Sequence, residues 1–190
     1  MKYLITGGCG FIGSHLAERL IADGHQVTVL DDLSTGKLSN VADIVQHPNF
    51  QFQIGTICDD SLVHKLVQDC DVVFHLASAV GVRFIMEKPV ETIETIVTGT
   101  QVVLKNANLF RKPTLLTSTS EVYGKSTCVP FLEDGDRLEG PTTKHRWAYA
   151  CAKALDEFLA MAYWKSNGFP IVSYGFSTLS ARVSQVNTGW

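Results

Sequence analysis

The chain has 190 residues, of which 45% are hydrophobic and 18% charged, and a formal net charge of -3. This suits one well-cored globular domain with room for at most a fragment of another, and it excludes a disordered chain and a basic nucleic-acid binder. No apolar run is long enough for a membrane span, and the first residues read as a core strand, so neither membrane insertion nor a signal peptide is expected. Cys9, Cys58, Cys70, Cys128 and Cys151 show no Cys-x-x-Cys spacing. They read as reduced thiols with no metal to hold, which points to the cytoplasm.

Lys2-Tyr3-Leu4-Ile5 reads as an apolar strand leading into Thr6-Gly7-Gly8-Cys9-Gly10-Phe11-Ile12-Gly13 and then a helix. Strand, glycine-rich turn and helix in that order make a seat for a dinucleotide pyrophosphate. Gly7 makes the tight turn, Gly10 lets the backbone approach the phosphates, and Gly13 lets the helix pack closely on the strand. The helix start, with the backbone of Phe11 and Ile12, adds free N–H groups and a favourable dipole. The helix has Phe11, Ile12, Leu16, Leu20 and Ile21 on its apolar face and should end at Asp23-Gly24.

Gln26–Leu30 is the next strand and runs into Asp31-Asp32. A carboxylate about 20 residues past the glycines takes the adenosine ribose hydroxyls and repels a 2′-phosphate, so NAD is expected over NADP. A short helical segment follows around Val41–Val45, then a strand at Phe50–Ile54, a helix at Ser61–Gln68 and a buried strand at Val72–Leu76. Pro89–Asn108 is a long helix with proline in its first turn, and Thr114–Thr117 is another strand. Gly124–Arg146 reads as a long functional loop, Trp147–Asn167 as a helix closed by Gly168, and Pro170-Ile171-Val172 as the start of a strand. The alternation specifies an α/β fold: a doubly wound parallel sheet covered on both faces, with ligands at the carboxyl ends of its strands.

Tyr149 and Lys153 lie one turn apart on the last helix. A tyrosine has an ordinary pKa of about 10, so acting as a base near neutral pH needs on the order of 4 kcal/mol of selective phenolate stabilisation. A nearby ammonium and a positive nicotinamide ring are sufficient sources. The strand before this helix ends in Thr117-Ser118-Thr119-Ser120-Glu121-Val122-Tyr123-Gly124, a cluster of hydroxyls with one acid at the expected ligand edge.

With Thr6–Gly13, Asp31–Gly36, His75-Leu76-Ala77-Ser78, Thr119–Gly124 and Tyr149…Lys153 in place, the chain from Met1 to about Val172 resembles the extended short-chain dehydrogenase/reductases. The likeness is to their nucleotide-sugar epimerase, dehydratase and decarboxylase branch. It implies transient oxidation of a sugar: Tyr149 takes the 4-hydroxyl proton while C4 gives hydride to NAD, Thr119 holds that hydroxyl, and Lys153 binds the nicotinamide ribose and lowers the Tyr149 pKa. Thr56, Ile57, Leu76, Ala77, Ser78 and Thr117 would complete the cofactor contacts. Thr119-Ser120-Glu121, together with Lys144-His145-Arg146-Trp147, is similar to UDP-glucuronate decarboxylases; a 4-epimerase stands beside that reading and a dehydratase comes third. The substrate is then a nucleotide-diphosphate sugar, and helices 89–108 and 147–167 would pair two copies into a homodimer.

Several positions depart from the family pattern. Thr56 stands where an aspartate often contacts adenine, and Ile96 stands where an asparagine often orients the site. Val80-Gly81-Val82 and Arg83 fit the substrate-phosphate side, while His75 is expected to pack at the sheet edge. A non-catalytic NAD-binding protein is the competing reading. The domain is expected to span 1–172, without the usual C-terminal substrate domain. Residues 173–190 are expected to be an out-of-frame tail: one allowed back-translation, read two bases later, gives VRLFNTVGPRQSGQYGM. On that reading the sheet lacks its last strand.

Overall fold

The computed structural model describes residues 1–79, 87–127, 130–132 and 134–176. Six strands form one parallel sheet in the order β3-β2-β1-β4-β5-β6. They are β1 (Lys2–Thr6), β2 (Gln26–Asp31), β3 (Phe50–Ile54), β4 (Val72–His75), β5 (Thr114–Thr119) and β6 (Ile171–Phe176). The helices are α1 (Phe11–Ala22), α2 (Asp60–Asp69), α3 (Pro89–Leu109) and α4 (Arg146–Asn167). Short 3-10 turns occupy Leu38–Val41 and Ser120–Tyr123. The first lies a few residues before the helical segment expected at Val41–Val45.

The period-two alternation of β1 sends Leu4 and Ile5 to opposite faces. Ile5, Val27 and Val29 pack under α1 with Ala17, Leu20 and Ile21. Leu4, Leu30, Val73 and Leu116 pack under α2, α3 and α4 with Val63, Val103, Leu104 and Phe169. Within α1 the apolar face differs from expectation, because Phe11 and Ile12 are 43% and 45% exposed while Gly13 and Ser14 are buried. The first turn of the helix overhangs the strand ends, so these two side chains have no sheet beneath them.

Helix ends follow local chemistry. Asp59 caps α2 by accepting from Leu62 N–H, Pro89 opens α3, and Gly168 closes α4 in the left-handed conformation at φ 65°. β6 corrects the sequence expectation at the carboxyl end. It continues through Ser173–Phe176 and pairs with β5 from Thr114↔Ile171 to Thr119↔Phe176, so the sheet has a sixth strand and a boundary at 172 would fall inside it. Ladder hydrogen bonds come from the backbone, so a segment with few apolar side chains can still extend the sheet. Its side chains are poorly covered: Val172 is 61% and Tyr174 53% exposed. The rest of the expected tail, 177–190, lies outside the described residues, as do Val80–Arg83 and Cys128.

Candidate active site

The parallel register brings Thr6, Asp31, His75 and Thr119 to the same carboxyl edge of the sheet. At that edge β1 turns into α1. Gly7 has φ +71°, and a Cβ built on it would stand 2.7 Å from Ala77 N, inside contact distance of the β4 end. Gly10 is the N-cap of α1. A Cβ on Gly13 would lie 2.4 Å from Gly7 O. Gly13 therefore lets the helix close on the turn itself, rather than on the strand as expected. The opening N–H groups of α1 are left facing the edge, beside the exposed Phe11 and Ile12.

Asp31 ends β2 with a buried carboxylate. Its Oδ2 accepts from Cys9 N–H at 2.9 Å and its Oδ1 from Leu33 N–H at 2.8 Å. One carboxylate thus ties the glycine-rich turn to the loop after β2. Burial, with the Asp31 charge second, pushes the Cys9 thiol up to about 11, so this sulfur stays protonated at neutral pH. Asp32 is exposed and accepts from Ser34 N–H. Thr56 is exposed and Ile57 buried against Gly99. Leu76, Ala77 and Ser78 are half-buried after β4, and Thr117 donates to His75 O at 3.1 Å.

The β5 end and the first turns of α4 hold Thr119, Glu121, Tyr149 and Lys153, the candidate reactive groups. Thr119 Oγ1 accepts from Glu121 N–H at 3.3 Å, which leaves its own proton free to donate. Tyr149 packs with Ala79, Ile96 and Ala152. Ile96 fills the expected asparagine position as a fully buried hydrocarbon. Burial, then the Glu121 carboxylate, pushes the Tyr149 phenol up to about 12, while hydrogen bonding with Thr119 and Ser78 works the other way. Ser78 Oγ is buried beside the phenol without a hydrogen bond of ordinary geometry.

The Lys153 ammonium is 2% exposed and donates to Asp156 Oδ2 at 3.2 Å, and the Tyr149 pKa is raised rather than lowered as expected. Burial lowers the Lys153 pKa and raises that of Asp156 to about 6, each partly offset by the other's charge. Sequence reasoning missed Asp156. Its spacing of three from Lys153 places both on one helix face, and that was the available signal. It also missed Glu157, which accepts from Ser118 and pairs with Arg137, fastening the long loop to α4.

A glycine-rich turn opening a helix on a six-stranded parallel sheet, with hydroxyl, phenol and ammonium at its carboxyl edge, defines a Rossmann-like α/β domain. More particularly, the chain belongs to the GDP-mannose 4,6-dehydratase family, whose model matches residues 4–185. It is 47% identical over 170 residues to a UDP-N-acetyl-alpha-D-glucosaminuronate decarboxylase from Bacillus cytotoxicus, covering 90% of this chain and 52% of that protein. It is 36% identical over 183 residues to UDP-glucuronic acid decarboxylase 1 from Danio rerio, covering 96% and 42%. Among solved structures it is similar to a dTDP-glucose 4,6-dehydratase from Streptomyces venezuelae with NAD and TYD bound (TM-score 0.82, 30% identity, 91% and 54% covered). A UDP-N-acetylglucosamine 4-epimerase from Methanobrevibacter ruminantium aligns at TM-score 0.81 with 28% identity, covering 90% and 53%. The chain spans about half the length of the curated relatives it matches.

Proposed function

We propose that the protein modifies a UDP-linked uronic sugar through a transient 4-ketone, with decarboxylation as the outcome and NAD as its resident cofactor. The observation that carries this reading is the approach of Tyr149 to Thr119 and Glu121 at the carboxyl end of β5. The cradle fits the cofactor. A methyl group at Gly7 or Gly13 would strike the backbone of Ala77 or of Gly7 and deform the turn, a Cβ on Gly10 would meet only Gly7 O at 3.2 Å, and Asp31 ends the next strand. When bound, NAD supplies a hydride acceptor at C4 and later returns the hydride.

The side chains handle the proton and the geometry. Thr119 donates to the sugar 4-oxygen and orients it, and Tyr149 accepts the proton that leaves this oxygen as C4 becomes a ketone. The ketone then takes up the electron pair released when the bond from C5 to its carboxylate breaks. Glu121 sits where it can move a proton at the resulting enolate. Lys153, held by Asp156, presents its charge to the nicotinamide ribose. A phenol held at about 12 stays protonated near neutral pH, and the positive charge of a bound cofactor would favour loss of its proton. Two copies pair through α3 and α4, a reading supported by the exposed Ile93, Leu155, Phe158 and Met161.

The test is to add UDP-glucuronate, UDP-N-acetylglucosaminuronate or UDP-glucose to the NAD-loaded chain and follow NADH absorbance and released carbon dioxide. Release of carbon dioxide from a uronate supports decarboxylation, and reduction of NAD by a neutral sugar alone favours an epimerase. Tight NAD binding with no reduction by any of them supports the non-catalytic reading.

A further inference from the structure

One buried polar line crosses from the first strand to the last helix. Ala77 N–H donates to Thr6 Oγ1 at 3.2 Å, and Thr6 Oγ1 lies 2.7 Å from His75 Nδ1. On the other side of the ring, His75 Nε2 lies 3.1 Å from Thr100 Oγ1. Thr100 donates to Asp156 Oδ2 at 2.9 Å, the same oxygen that holds Lys153. Thr6, His75, Thr100, Lys153 and Asp156 are each no more than 2% exposed.

The chemistry of these groups fixes the order of protons. An ionised carboxylate only accepts and an ammonium only donates. Thr100 therefore gives its proton to Asp156, and its oxygen can only accept from the ring. His75 must carry its hydrogen on Nε2, which leaves Nδ1 bare to accept from Thr6. The Thr6 oxygen is then free to accept from Ala77 N–H. Every donor in the line points towards Asp156, and no member is left unpaired. Burial, then the Lys153 charge, holds the ring neutral down to about pH 3.

We propose that His75, locked as the neutral Nε2–H tautomer, is a positioning residue that fixes the Lys153 ammonium relative to the glycine-rich turn. Thr6 immediately precedes Gly7, and Ala77 N is the atom against which Gly7 closes. Both walls of the turn and the ammonium thus hang on one line. A dinucleotide seated in the turn meets Lys153 already aimed, which removes an ordering cost from binding. In its consequence for binding, the inference rests on the proposed role of Lys153 at the nicotinamide ribose; in its geometry it does not.

Ring nitrogen NMR on the histidine-labelled full chain tests the geometry, with His75→Gln identifying the signals. A protonated Nε2 and bare Nδ1 are expected between about pH 7 and 8, where Asp156 is ionised; an Nδ1–H tautomer there, or a ring titrating between about pH 5 and 8, overturns the proposal. NAD titration tests the consequence. His75→Leu and Thr100→Val should each weaken binding about tenfold, whereas Thr100→Ser and His75→Gln, which retain a donor or acceptor in the line, should stay within about threefold of wild type. Equal affinity across all four variants overturns the positioning role even if they fold well. A wild-type chain that binds no NAD defeats the functional reading instead, and the tautomer then decides this one.

Discussion

Asp31 and His75 show how far a single side chain depends on what its neighbours do with their hydrogen bonds. Asp31 is the residue that the sequence assigns to the adenosine ribose, and the fold also uses both its oxygens to bind backbone N–H groups. Its carboxylate is therefore fixed in place before any ligand arrives. NAD should bind at least about tenfold more tightly than NADP, a difference of about 1.4 kcal/mol, because a 2′-phosphate would meet a charge that cannot swing away. Fluorescence titration with the two dinucleotides checks this, and equal affinities would refute it.

His75 sets a pH dependence of stability. Its folded pKa is pushed down to about 3, first by burial and then by Lys153, against an unfolded value of about 6.5. Between those values the unfolded chain takes up a proton that the folded chain refuses. The contribution is complete above about pH 6.5 and is lost as the pH falls towards 3. Asp156, raised to about 6, runs the opposite way, since the folded carboxyl binds a proton that the unfolded one has released. Replacing His75→Gln should therefore flatten the acid side of the stability profile by up to about 1.4 kcal/mol per pH unit. Urea unfolding from pH 4 to 7 reads the slope directly, and an unchanged slope means that the ring protonates in the fold.

At the scale of elements, α4 and β6 contrast in what the tertiary structure asks of them. α4 places Tyr149, Lys153, Asp156 and Glu157 along two turns that face β5 and α3, so each has a partner. β6 is held mainly by its ladder to β5, with Val172 and Tyr174 largely in solvent. Val172→Thr and Tyr174→Thr should each change stability by no more than about 0.5 kcal/mol. Leu116→Ala in the fully buried β5 position should cost about 2–5 kcal/mol. Denaturant midpoints at unchanged slope compare them; a large cost at Tyr174 would show that something covers this edge.

Over the whole molecule the two sheet faces are unequally covered. α2, α3 and α4 close one face, whereas α1 lies over β1 and β2 on the other, and among the described residues no helix covers the outer face of β5 and β6. The exposed apolar residues of α3 and α4 lie outside this core, and Phe158→Glu should shift the chain from dimer towards monomer in sedimentation if these helices pair two copies. A monomeric wild-type chain would remove that proposal. The out-of-frame reading of 173–190 remains a proposal in spite of β6. It predicts that one inserted base near codon 173 opens a long reading frame, which the gene sequence decides.

The glycine-rich turn was legible because it depends on local rules: glycines where a Cβ would collide, a helix start after a strand, and an acid at the next strand end. The strands were legible for the same reason, since alternation of period two and runs of buried aliphatic residues are properties of neighbours in the chain. Tyr149 and Lys153 were legible as a pair on one helix face, but their electrostatics were not. Whether Lys153 turns to Tyr149 or to Asp156, and whether a phenol rises or falls, depends on burial and on groups from β4, β5 and α3 that are distant in sequence. The sequence by itself determined the order of elements, the glycine-rich turn that opens α1 and the helix that carries Tyr149 and Lys153. Only the tertiary structure decided the protonation and pairing of the buried groups, because the dielectric and the partners that set them exist only once the sheet and helices have closed.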